Sequence, residues 1–190
     1  MCGPSGAGKS TLCDRILAAH GDLAYSISCT TRRPRGVEKD GKDYYFLSEQ
    51  EFRRRVSEGL FLEHARVHGH SYGTLRETVR QELAAGKSVL MDIDIQGARQ
   101  IRKALAAASA GDVMKQGFVD IFVKPPSLAV LRKRLESRAE DTPEAIKLRL
   151  KNAREELAAR GEFKHLLVND KLDKAFAELQ ALLDKEWGIG

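Results

Sequence analysis

Residues 3 to 10 read Gly-Pro-Ser-Gly-Ala-Gly-Lys-Ser, a glycine-rich run closed by a cation and a hydroxyl. The spacing G-x-x-x-x-G-K-S is that of a phosphate-binding P-loop. Its glycines let successive backbone N–H groups turn inward around phosphate oxygens, and the helix that follows adds its positive N-terminal end. Gly3, Pro4, Ser5, Gly6, Ala7, Gly8, Lys9, Ser10 and Thr11 are therefore the expected cradle. Lys9 would reach the β- and γ-phosphates, and the Ser10 hydroxyl is a candidate ligand for Mg²⁺. An eight-residue match followed by a helical pattern points firmly to nucleotide phosphate. It says little about which reaction is run.

Two further groups invite chemistry. Asp92 closes the apolar run Val89-Leu90-Met91. A carboxylate at the end of a buried parallel strand can hold a metal beside the phosphates. The competing reading is a capping Asp for the next helix. Asp94, two residues on, would point the same way if the strand continued. The second group is Ser28-Cys29-Thr30-Thr31-Arg32-Arg33-Pro34-Arg35, with three arginines and three hydroxyls in eight residues. Guanidinium forks suit phosphate in two-point contact. By charge alone, a solvated basic loop fits equally well. Tyr44 and Tyr72, each beside a glycine or lysine turn, add hydroxyls that can reach the same anion.

The elements that would position these residues alternate between apolar runs and helical patterns, which predicts an α/β fold. Helices are expected over Lys9 to His20, after the capping boxes Ser48/Glu51 and Thr74/Glu77, from Ile95 to Ala108, after Ser127, from Thr142-Pro143 onward, and at the end of the chain. Strands are expected at Tyr25 to Thr31, Tyr44 to Leu47, Leu60 to Val67, Val89 to Ile93, Val119 to Val123 and Leu166 to Val168. The segment between the helix at Ile101 and the strand at Val119, about 104–118, reads as a longer loop away from the site. A P-loop normally hangs from a buried parallel strand, yet only Met1 and Cys2 precede Gly3, so the first strand is expected to be missing from this chain.

The 190 residues suggest one domain. A hydrophobic fraction of 42% supports a normal core and excludes a disordered chain. The formal charge of +5 favours anionic partners without separating nucleic acid from small phosphates. Three cysteines with no Cys-x-x-Cys argue against a disulfide framework or zinc site. No apolar run approaches a membrane span, and no signal-peptide pattern opens the chain. A soluble, cytoplasmic protein is the expectation, with no nucleic-acid or membrane partner.

Taken in order, the motifs resemble guanylate kinases along almost the whole chain. They are Gly3 to Thr11, Ser-x-Thr-Thr-Arg-x-Pro-Arg at 28 to 35, Gly-Lys-Asp-Tyr at 41 to 44, and Phe-Leu-Glu at 61 to 63. Tyr-Gly-Thr at 72 to 74, Asp-Ile-Asp-x-Gln-Gly at 92 to 97 and Pro-Pro-Ser at 125 to 127 complete the set. The resemblance implies a three-layer P-loop NTPase fold with a central, mostly parallel sheet. It implies a core of about 1–27, 75–126 and 161–190, a GMP-binding part of about 28–74 and a helical lid of about 127–160. It implies that Arg32, Arg35, Tyr44 and Tyr72 bind the GMP phosphate, and that Ser28, Glu63, Thr74 and Asp94 surround guanine. It further implies that Arg134, Arg138 and Arg149 close on ATP and act with Lys9 and Asp92 in catalysis, Mg²⁺ being held by Ser10 and Asp92. Such an enzyme would move the γ-phosphate of ATP to GMP.

Chemistry supports Glu63 beside that resemblance. Guanine offers two adjacent donors, N1–H and the 2-amino group, and a carboxylate accepts both. Adenine presents an acceptor at N1 and lacks the amino group, so the carboxylate would lose its water and find no partner. Rival classes are a family-like module that only binds a protein, which typically has a degraded P-loop, a basic nucleic-acid-binding domain, and a P-loop kinase for another acceptor. Intact Gly8, Lys9 and Ser10, the absence of interleaved stacking aromatics, and Glu63 with Ser28 argue against them in turn.

Overall fold

The structure is a computed structural model, and it describes every residue except His68, 138–141 and 188–190. Arg138 therefore lies outside the described residues. In chain order the elements are α1 (Lys9–Ala19), β1 (Leu23–Tyr25), β2 (Cys29–Thr30), β3 (Tyr45–Phe46), α2 (Glu49–Ser57), β4 (Phe61–Val67), β5 (His70–Leu75) and α3 (Arg76–Ala84). They continue as β6 (Ser88–Leu90), α4 (Ile95–Ala107), a short α5 (Val113–Gln116), β7 (Ile121–Lys124), α6 (Leu128–Glu136), α7 (Pro143–Ala158), a 3-10 turn (Ala159–Glu162), β8 (His165–Val168) and α8 (Leu172–Trp187). The chain divides into two compact units: Met1–His20 with Gly117–Gly190, and Gly21–Gln116.

In the first unit, β7 and β8 pair in parallel from Ile121↔His165 to Lys124↔Val168. Cys2 bridges Phe122 in parallel on β7: its N–H donates to the Ile121 carbonyl at 2.9 Å and its carbonyl accepts from Val123 N–H at 2.8 Å. The residue before the P-loop thus lies against a buried strand. Leu12 and Ile16 of α1 are fully buried, and α1 packs on α8. Leu131 and Leu135 of α6 meet Leu150 and Ala153 of α7 in a second apolar cluster. The caps at Ser127 and Thr142 form as expected, accepting from Val130 N–H and Ala145 N–H.

In the second unit, β1 and β6 pair in parallel, while β3-β2-β5-β4 form a separate, mixed sheet. The expected strand at Tyr25 to Thr31 is broken for that reason. Ser26 N–H still donates to Leu90 on the β6 side, whereas Ser28 already accepts from Tyr45. Residues 26 to 28 carry the chain from one sheet to the other. Phe52, Phe61 and Cys29 form the core beneath the mixed sheet, the two rings stacked 4.5 Å apart.

Three further expectations are corrected. The Thr74/Glu77 capping box does not form: α3 has Leu75 at its N-cap with no side-chain bond, and Thr74 belongs to β5. The strand through Asp92 stops at Leu90, so Asp94 is not a strand neighbour of Asp92. Asp94 caps α4 instead, accepting from Gly97 N–H at 2.8 Å. The segment read as a long loop carries the short helix α5, whose N–H groups at Met114 and Lys115 bond the Asp112 carboxylate.

Candidate active site

The phosphate loop is built by glycines that no other residue can replace cheaply. Gly8 stands at the N-cap of α1 with φ 87°, a left-handed conformation that costs an L-residue about 1 kcal/mol or more. A Cβ there would also strike the Asn169 amide, and one on Gly3 would run into the Val123 carbonyl. The loop is therefore clamped between β7 and the end of β8. Asn169, buried just after β8, donates through Nδ2 to the Ala7 carbonyl at 2.8 Å. Its own carbonyl accepts from Arg134 Nη2 at 2.8 Å, and Asp170's accepts from the same nitrogen at 3.1 Å. Arg134, at the C-terminal turn of α6, is thereby tied to the segment that holds the loop. Lys9 Nζ donates to the Gly3 carbonyl at 2.6 Å, arching back over its own loop. Ser5, Ser10 and Thr11 are exposed, and Arg149 is half-buried on α7.

The second unit holds a cationic site and an acidic one. Arg32 is 6% exposed. Its guanidinium makes a two-point ion pair with Glu38, both N–O distances being 2.9 Å, and a further 2.8 Å bond to the Arg33 carbonyl. It lies 5.2 Å from the centre of the Tyr44 ring and also bonds Tyr72. Its Nε–H is buried with no hydrogen-bond partner among the described residues. The Glu38 bond raises the Arg32 pKa above its already high value, and burial opposes it. Glu38 also accepts from Arg35 N–H at 2.7 Å, so one carboxylate orders the loop that carries both arginines. The Arg35 side chain itself is exposed. Tyr44 and Tyr72 stand edge to face, centres 6.1 Å apart, and burial raises the Tyr44 pKa.

The acidic site centres on Glu63, 5% exposed on β4. The strand register shifts between Phe61 and Glu63, the kind of irregularity that re-aims a side chain. Thr74, opposite it on β5, donates its hydroxyl to Glu63 Oε1 at 2.7 Å. Burial pushes the Glu63 carboxyl up to about 7; the Thr74 bond pulls it down and the Asp94 charge adds to the rise. Asp92 is half-buried two residues beyond β6, and Ser28 is half-buried beside β2. A buried, weakly hydrated carboxylate is a reader of paired N–H donors, and a buried guanidinium with an unbonded N–H is a receiver of anionic oxygen.

Glu38 and Asn169 escaped the sequence reading. The Arg-x-x-Arg-x-x-Glu spacing of 32 to 38 was a signal for the first, since a carboxylate so near two arginines in a turn finds one of them. Nothing local announces the second.

The comparisons with known proteins meet this geometry. The family model described as guanylate kinase matches residues 1–186. The chain belongs to the guanylate kinase family. A guanylate kinase of Nitrosospira multiformis is 44% identical over 183 residues, covering 96% of this chain and 82% of that protein. One of Thermotoga maritima is 42% identical, covering 98% and 85%. The crystal structure of guanylate kinase from Anaplasma phagocytophilum superposes with a TM-score of 0.74 at 31% identity, covering 97% of this chain and 82% of that one. The fold is accordingly the guanylate kinase version of the P-loop NTPase fold, and the family's activity is that of an ATP:GMP phosphotransferase. Among the described residues no helix is long and apolar enough to cross a membrane.

Proposed function

We propose that this chain transfers the terminal phosphate of ATP to GMP, with the acceptor held by the second unit. The observation that carries this assignment is the buried Glu63–Thr74 pair in the same unit as the buried Arg32 with Tyr44 and Tyr72. Glu63 takes the two guanine donors, with Ser28, Thr74 and Asp94 around the base. Arg32 and Tyr72, with Arg35 and Tyr44, take the acceptor phosphate. Gly3 to Thr11 hold the ATP phosphates, and Lys9, Arg134, Arg138 and Arg149 offset charge that develops on the moving phosphoryl group. The acceptor is already an anion, so positioning and charge neutralisation do the chemistry without a strong base. Residues 127–160 act as a lid that excludes water from the reaction.

Ser10 and Asp92 offer hard oxygen donors of the kind Mg²⁺ takes from protein when phosphate and water fill its remaining positions. Held there, the ion supplies charge neutralisation on the ATP phosphates. A coupled assay with ATP, Mg²⁺ and a panel of GMP, AMP, CMP and UMP tests the assignment. GMP is expected to be the strongly preferred acceptor. Equal turnover of AMP would overturn it.

The pH dependence follows from Glu63. Guanine donors bond its ionised form, so protonation competes with GMP as pH falls through about 7. The KM for GMP is expected to rise below that pH, and binding there to release a proton. Stability has the opposite sign. The folded-state value lies above the ordinary 4.5, so the folded state holds the extra proton between the two. Stability from this group is lost as pH rises from about 4.5 to about 7. Calorimetric GMP titrations in buffers of different ionisation enthalpy read the proton release. Titrations at pH 6 that show no buffer dependence would refute the linkage.

Glu38→Ala would leave a buried guanidinium short of two acceptors and free the Arg35 backbone. A loss of roughly 1–3 kcal/mol in stability is expected, with weaker GMP binding and an unchanged KM for ATP. Thermal melts and GMP titration check it; an unchanged melting temperature and GMP affinity would make Glu38 a bystander.

A further inference from the structure

Glu63, the side chain assigned to the base, stands on a strand that packs against helix α4. β4 is the edge strand of its sheet, so among the described residues its outer N–H and C=O groups have no strand to pair with. At His64, the residue after Glu63, the Gln100 amide of α4 takes that place. Gln100 Nε2 donates to the His64 carbonyl at 2.6 Å, and Gln100 Oε1 accepts from His64 N–H at 3.1 Å. One side chain thus supplies both halves of a strand-like pairing and anchors the backbone beside the reading carboxylate.

Three residues earlier on α4, and so on the same face, stands Gly97. It is buried, and a Cβ built on it would collide with Glu63 Oε2 and lie about as close to the rest of the carboxyl group as atoms can come. Glycine costs a helix about 1 kcal/mol relative to alanine, and this one has no left-handed turn to justify it. What it provides is room. Three residues earlier again, Asp94 caps the helix through Gly97 N–H and faces Glu63 closely enough to raise its proton affinity. Asp94, Gly97 and Gln100 therefore form one stripe of α4 laid along Glu63 and His64.

We propose that Gly97 and Gln100 are positioning residues for nucleobase selection: Gln100 fixes the backbone of β4 beside Glu63, and Gly97 leaves the space in which the Glu63 carboxylate stands. The inference rests on Glu63 being the reader of guanine. A two-donor contact tolerates a displacement of only about 0.5 Å before one of its bonds is lost. The acceptor that exposes such a loss is inosine monophosphate, which keeps N1–H and lacks the 2-amino group.

The test uses the full chain as Gly97→Ala, Gln100→Ala and Glu63→Gln, with melting temperature, KM for ATP and kcat/KM for GMP and for inosine monophosphate. Gly97→Ala is expected to stay folded, the helix gain of alanine offsetting part of the cost of displacing the Glu63 carboxylate, and to lose about tenfold in the GMP-to-inosine preference. Gln100→Ala is expected to move the preference in the same direction, with KM for ATP unchanged within about twofold. A purely structural role would lower the melting temperature and leave the preference where it was, and that result overturns the proposal. Failure of both variants to fold overturns it equally. If Glu63→Gln alone abolishes the preference, the guanine reading stands and the positioning role falls. If Glu63→Gln leaves the preference intact, the guanine reading itself has failed.

Discussion

Lys9→Ala is expected to lower kcat by about 10²-fold or more while GMP binds with its affinity unchanged. The lysine ends the phosphate loop, where its ammonium now bonds the Gly3 carbonyl. That bond is internal to the loop and can be exchanged for phosphate oxygen. A charge-assisted contact that strengthens as the phosphoryl group moves contributes roughly 3 kcal/mol to the barrier, which corresponds to about two orders of magnitude in rate. Arg32, Tyr44 and Tyr72 lie in the other compact unit, tied to Glu38 and to one another. Removing Lys9 leaves those contacts untouched. The coupled assay reads the rate and calorimetric titration reads GMP affinity. Loss of GMP binding in a folded Lys9→Ala protein would show that the two phosphate sites cannot be separated as argued.

Glu63→Gln is expected to cost roughly 10²- to 10³-fold in kcat/KM for GMP, while AMP, already a poor acceptor, changes far less. The carboxylate offers an acceptor to each guanine donor; the amide offers one acceptor and sets its NH₂ against the other donor. Each charge-assisted bond contributes about 1.5–3 kcal/mol, and a mismatch in a buried site adds the cost of an unpaired group. The same substitution removes the titrating carboxyl, so the rise of KM for GMP below about pH 7 should vanish with it. A variant that keeps its preference for GMP over AMP would place guanine recognition elsewhere.

The P-loop motif was legible because its geometry is local. Eight consecutive residues and the first turn of α1 contain most of the geometry, and glycine and lysine at fixed offsets announce it. The helix caps at Ser48, Ser127 and Thr142 were legible for the same reason, each bond closing within three residues. The same local rule failed at Thr74. Its spacing to Glu77 is that of a capping box, but β5 extends through it and its hydroxyl is taken by Glu63, eleven residues back on the neighbouring strand. A strand pairing and a buried carboxylate together outweigh a cap worth about 1 kcal/mol.

The amino-acid sequence by itself determined the family, the phosphate loop and the identities of the arginine, tyrosine and glutamate side chains, because these depend on residue type and near spacing. Only the tertiary structure decided what those side chains are. Glu63 becomes a carboxyl that titrates near 7 because β4, β5 and α4 enclose it. Arg32 becomes a fixed fork because Glu38 holds one edge and the Tyr44 and Phe46 rings flank it. Asn169 becomes the support of the phosphate loop because β8 delivers it there from 162 residues away. Burial and long-range partners set proton affinity and orientation, and neither is a property of any stretch of chain read alone.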